Sequence, residues 1–277
     1  MQILIQSRVK YIFKATIFCI FFIGLLFLFT SSLNFLPRHL VPYSLEGIYH
    51  GIIGILVGLL TTKLFLGFDK KKFSDIGLSF ERSTIVKFLA GAVIGVIIMG
   101  LLAGSVIYFT NTSIEVNQKF KLSQFLIASL TTFLLAFMEE IGFRAYPLHL
   151  LKNKVGIRIA IIITSILFAF SHIAYGWTPT SSLGPAIWGL LFGLSAIYSK
   201  GIAMPTGIHY AINLTTFSLG SGNNTVSIWT IKNTNSIRAN YLGIDWVIIL
   251  PHITLLVFAI ICIELYMRRK TTANSTI

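Results

Sequence analysis

Leu134-Leu135-Ala136-Phe137-Met138-Glu139-Glu140-Ile141-Gly142-Phe143-Arg144 carries an apolar run straight into two adjacent carboxylates and an arginine. The run lies deep in a stretch long enough to cross a bilayer, where a charge near the centre costs about 2.5–3.5 kcal/mol on insertion scales. Three charges kept so close together at that cost point to use. The stretch therefore suggests both a membrane helix bundle and chemistry carried inside it.

The composition agrees. Of 277 residues, 55% are hydrophobic and 11% charged, with 23 phenylalanines and a mean hydropathy of +0.82. That balance excludes an ordinary soluble domain. Apolar stretches of about 20 residues, the length that spans the hydrocarbon core, fall at 12–29, 45–66, 88–109, 122–151, 155–175, 183–198, 202–219 and 244–267. The expected fold is an all-α, polytopic membrane protein with about eight transmembrane helices. No linker or internal repeat divides it, so residues 1–277 read as a single integral-membrane domain with a motif-bearing core at about 122–219. Pro205 suits the first turn of the seventh helix. The first stretch reads as a retained span, because 30–34 offers no small-x-small cleavage site.

The formal net charge of +13 has a membrane explanation. With both termini cytoplasmic, the outer segments hold only Arg38, Lys119, Lys121, Lys232 and Arg238 of the 22 lysines and arginines, and the inner segments hold the rest. This is the positive-inside pattern. It implies contact with anionic membrane lipids, for example through Lys70-Lys71-Lys72, and no nucleic-acid partner. Cys19 and Cys262 lie in different spans and suggest packing, not a disulfide or metal framework. His50 and His252 read as packing or interfacial groups. The chain ends without a lipidation cysteine.

On a helix Glu140 and Arg144 share a face, whereas Glu139 is rotated by about 100 degrees. One glutamate can pair with the arginine while the other accepts a proton from water. The fifth span adds Phe168-Ala-Phe-Ser-His172, and the seventh adds His209-Tyr-Ala-Ile-Asn213, whose spacing puts imidazole and carboxamide on one face. At about 1.5 Å rise per residue, Glu139, His172 and His209 lie about 18, 24 and 12 Å from the inner ends of their helices. Tilts and a kink at Pro147 absorb that spread, so the groups can meet in one layer.

These motifs, Glu139-Glu140-x-x-x-Arg144, Phe168-x-x-x-His172 and His209-x-x-x-Asn213, resemble in order and placement those of the CAAX protease and bacteriocin-processing (Abi) family of intramembrane endopeptidases. Phe73-Ser-Asp75-Ile-Gly77-Leu78 adds a weaker similarity. The resemblance implies a bundle like the type 2 CAAX prenyl endopeptidase, hydrolysing a peptide bond in a membrane-associated peptide or protein. It also implies roles: Glu139 activates water with help from His172, His209 and Asn213 stabilise the oxyanion, and Glu140, Arg144 and Phe168 support them. No cofactor is obligatory in this scheme. A zinc-dependent version would use Glu139, His172 and His209 as ligands, although the spacing is not that of His-Glu-x-x-His. A reading from another class is a non-catalytic membrane scaffold or immunity factor. A transporter would show internal symmetry or paired broken helices, which the sequence lacks.

Overall fold

The computed structural model describes residues 2–31, 42, 45–110, 112–220, 225–233, 240–241 and 244–275. Its helices follow the apolar stretches: α1 (Gln2–Ser31), α2 (Glu46–Asp69), α3 (Arg82–Thr110), α4 (Leu122–Glu140) continuing into α5 (Tyr146–Lys154), α6 (Ile157–Ala174), α7 (Leu183–Ser199), α8 (Ala203–Ser218) and α9 (Trp246–Ser275). With α4 and α5 counted as one rod, the expected eight are present. Among the described residues, six helices are long and apolar enough to cross a membrane. The other two, α7 and α8, are shorter at 17 and 16 residues. Arg38 and Arg238 of the charge pattern lie outside the described residues.

Lipid tails are as apolar as leucine, so helices in a bilayer associate by close packing, which small residues permit. The tightest contact is α3 on α8. A Cβ on Gly91 or Gly207 would collide with the backbone carbonyl of Met204 or Phe88, and one on Gly95 would come within 2.7 Å of the Ile208 carbonyl. The ring contacts of Phe88, Phe133 and Tyr210, with a 2.8 Å hydrogen bond between the Tyr210 and Ser129 hydroxyls, then fix α8 against α4. Similarly, Gly51, Gly54 and Gly58 of α2 lie against Leu134, Met138 and Ile141. The helices carrying Glu139 and His209 are thus each held at backbone contact distance by a neighbour.

Polar ties mark one end of the bundle. Asp69 pairs with Lys14 and accepts the Tyr146 hydroxyl at 2.7 Å, linking α1, α2 and α5. Arg158 and Glu264 join α6 to α9 through two hydrogen bonds of 2.6 and 2.7 Å. In the Phe73–Ile76 3-10 turn, the Asp75 carboxylate accepts the Lys72 N–H at 2.8 Å. The turn ends at Gly77 with φ of 73°, against the Lys200–Gly201 turn, where a side chain would meet the Lys200 carbonyl. Glycine meets both demands there.

Two features depart from the sequence expectation. The fourth rod is interrupted by a π-turn at Ile141–Ala145, whereas Pro147 sits in the first turn of α5. A proline cannot donate to the carbonyl four residues back, and a widened turn just before it accommodates the missing bond. The all-α expectation held no strands, whereas β2 (Trp229–Asn233) pairs antiparallel with β1 (Thr112–Val116). Trp229 and Ile231 alternate with Thr230 and Lys232, the period-2 pattern of a strand. A second small pair joins β3 (Asn240–Tyr241) to β4 (Ile244–Asp245).

Candidate active site

Four charged or ionisable side chains meet where α4 gives way to the π-turn. Glu140 is fully buried, with its Oε1 3.0 Å from Nδ1 of His209 and its Oε2 3.4 Å from Nε of Arg144. Glu139 faces the other ring nitrogen, its Oε2 3.5 Å from Nε2 of His209. The α8 histidine therefore bridges the adjacent carboxylates. The two glutamates differ in access: the Glu139 side chain is 23% exposed and that of Glu140 is 0%. A separation of 3.5 Å is too long for a strong hydrogen bond, so Nε2 of His209 has no short partner on Glu139.

The π-turn places Arg144 in an aromatic enclosure. Its guanidinium carbon lies 4.3 Å from the centre of the Phe168 ring, 5.2 Å from Phe192 and 5.9 Å from Phe143. A desolvated cation over an aromatic face gains about 2 kcal/mol, which with Glu140 offsets part of the burial penalty. None of its nitrogens has a hydrogen-bond partner among the described residues, so geometry and rings hold it more than hydrogen bonds do.

Phe168 is the hub. Its buried ring touches Arg144, stands edge-on to His172 at 4.7 Å and to His209 at 5.9 Å, and packs on Phe143 and Phe192. His172 is set by its own helix, with Nδ1 2.9 Å from the Phe168 carbonyl oxygen. Because a carbonyl only accepts, Nδ1 carries the proton, and a neutral ring keeps its lone pair on Nε2. Trp177 closes over the ring at 4.9 Å. No hydrogen bond or ion pair among the described residues joins His172 to a glutamate. Asn213 lies one turn beyond His209, partly exposed and without a hydrogen bond among the described residues.

Tyr175, just past α6, lies close enough to Glu139 to feel its charge. Partial burial first, and that carboxylate second, push its phenol up to about 12. It stays a neutral O–H donor beside the site.

Residues 121–215 match the family model described as type II CAAX prenyl endopeptidase Rce1-like. That segment is similar to the CAAX protease family. The match contains Glu139, Glu140, Arg144, Phe168, His172, His209 and Asn213 and spans α4 to most of α8. The chain is a multi-pass membrane protein by its long apolar helices, and its segment 121–215 is similar to an intramembrane protease family. No curated protein matches the chain.

Among the described residues no three or more His, Cys, Asp or Glu side chains form a group able to hold an ion, so the set Glu139, His172, His209 is not assembled as ligands. Sequence reasoning missed two contributors. Phe192, on α7, stacks on the His209 ring with centroids 4.6 Å apart, and Trp177 caps His172. Phe192 is one of 23 phenylalanines and has no local signal. Trp177, a large aromatic five residues after a motif histidine, could have been flagged.

Proposed function

We propose that the protein is an endopeptidase that hydrolyses a peptide bond of a membrane-associated peptide or protein, with Glu139 as the base that activates water. The observation that carries this reading is the asymmetry of the adjacent carboxylates: Glu140 is sealed between His209 and Arg144, while Glu139 keeps access and shares the same histidine.

In the proposed cycle Glu139 takes a proton from water, and the hydroxyl attacks the carbonyl carbon of the scissile bond. His172, with its proton held on Nδ1 by the Phe168 carbonyl, offers Nε2 as acceptor to the same water. The tetrahedral oxyanion accepts hydrogen bonds from His209 Nε2–H and the Asn213 amide. With Nδ1 also donating to Glu140, that ring carries both protons in this scheme, and Glu140 and the oxyanion balance its charge. Collapse breaks the C–N bond, and the proton held by Glu139 passes to the leaving amine. No cofactor is needed for these steps. The substrate is a CAAX-type, a bacteriocin or immunity, or a peptide-signal precursor. Both termini face the cytoplasm, and the described helices act as one integral-membrane unit.

The test is proteolysis of a detergent-solubilised membrane-protein fraction by purified wild type and Glu139→Gln. New termini that require Glu139 support the reading. Equal cleavage by both removes Glu139 from the chemistry, and stoichiometric zinc with chelator-reversible activity replaces the glutamate scheme by a metal one.

A further inference from the structure

Arg144 also lines a polar cavity of about 470 Å³ between the Phe73–Ile76 turn, α5, the α7–α8 turn and the end of α9. Lys152, Lys200 and Lys270 line the same space, and none of the three makes an ion pair among the described residues. Lys152 and Lys270 are close enough to repel one another. The two acids of the cavity are already engaged in their own loop. Asp75 accepts the Lys72 N–H, and Glu81 faces Lys87 and the Ser79 and Ser83 hydroxyls. Arg144 contributes a buried guanidinium, ion-paired with Glu140 but without a hydrogen-bond partner among the described residues. The cavity is a cationic chamber whose positive charges outnumber its acids.

A second space, of about 850 Å³, adjoins the first and shares Tyr266 and Lys270 with it. Its walls are apolar, with Ile97, Leu101, Leu191 and Phe258 among them, and Arg269 joins Lys270 at the α9 end. Ile97, Leu101 and Phe258 are exposed on helices long and apolar enough to cross a membrane, so the cleft opens towards lipid. A cationic chamber joined at a tyrosine and a lysine to an apolar cleft has the polarity of an anionic amphiphile. Each space falls in the range of about 300–1,000 Å³ typical of small-molecule sites.

We infer that the two spaces form one site for an anionic phospholipid, its phosphate among Lys152, Lys200 and Lys270 and an acyl chain in the cleft along α3, α7 and α9. A free phosphate would satisfy the chamber and leave the adjoining cleft unexplained. The inference rests on the membrane setting and is independent of the peptidase reading.

The test uses the purified full chain reconstituted in phosphatidylcholine vesicles containing a minor fraction of phosphatidylglycerol, then released gently for native mass spectrometry. One phosphatidylglycerol per chain should be retained against excess phosphatidylcholine. The double variant Lys152→Gln/Lys270→Gln should weaken retention about thirty-fold, as expected for losing two cationic contacts at a membrane surface, while Lys152→Arg/Lys270→Arg keeps it. A melting temperature in phosphatidylcholine equal to wild type shows the Gln variant is folded. Equal retention of the two lipids, or unchanged retention in the folded Gln variant, overturns the proposal. Inorganic phosphate is expected to leave the lipid bound; if it displaces the lipid or matches its thermal protection, the site is a free-anion site and the lipid assignment fails.

Discussion

Glu139 and Glu140 are neighbours in the chain with opposite surroundings, and this difference separates base from support. His209 and Asn213 are placed as oxyanion donors, so His209→Ala and Asn213→Ala should each lower kcat by a factor of about 100–1,000 with a smaller change in KM, measured on any substrate the wild type cleaves. Arg144→Ala acts differently. It leaves Glu140 buried without its cation, a loss of about 3–5 kcal/mol of stability, visible as a lower melting temperature before any activity is assayed. The cluster of Glu139, Glu140 and Arg144 was legible in the sequence because charge in an apolar run is expensive and stands out. Phe192 and Trp177 were not, since an aromatic side chain in a bundle this rich in phenylalanine contrasts with nothing around it. The pairing of His209 with both carboxylates was also hidden, because it depends on how deeply α8 sits against α4.

That depth is set at the scale of elements. In α3, Gly91 and Gly95 lie against the α8 backbone, while a Cβ on Gly100 or Gly104 meets nothing within 4 Å. Gly91→Leu should therefore displace α8, reduce the yield of folded protein and abolish activity, whereas Gly100→Leu should behave as wild type in size-exclusion profile and melting temperature. Equal behaviour of the two variants would show that α8 is not held by this contact. The eight rods could be read from hydropathy, as the length of each apolar run is dictated by the membrane. The π-turn could not: moving one backbone hydrogen bond from i−4 to i−5 leaves the apolar pattern of Ile141–Ala145 unchanged. Nor could the pairing of β1 with β2, which joins segments far apart in the chain.

At the scale of the whole molecule, the charge distribution and the site make one prediction together. The lysines and arginines cluster on the side of the α2–α3, α5–α6 and α7–α8 connections, so cysteines introduced at Lys71 and Lys270 should be shielded from an impermeant maleimide in intact cells. One at Lys119 should be labelled. The reverse result would invert the proposed topology and place the Arg144 cavity on the outer face.

The most direct test of the central claim compares membrane peptidomes of cells carrying the wild type with cells carrying Glu139→Ala at matched expression. The account predicts at least one peptide product found only with the wild type, ending at a bond the purified protein also cleaves. Identical peptidomes, with both versions conferring the same phenotype, would contradict it and leave a bundle that acts by binding alone.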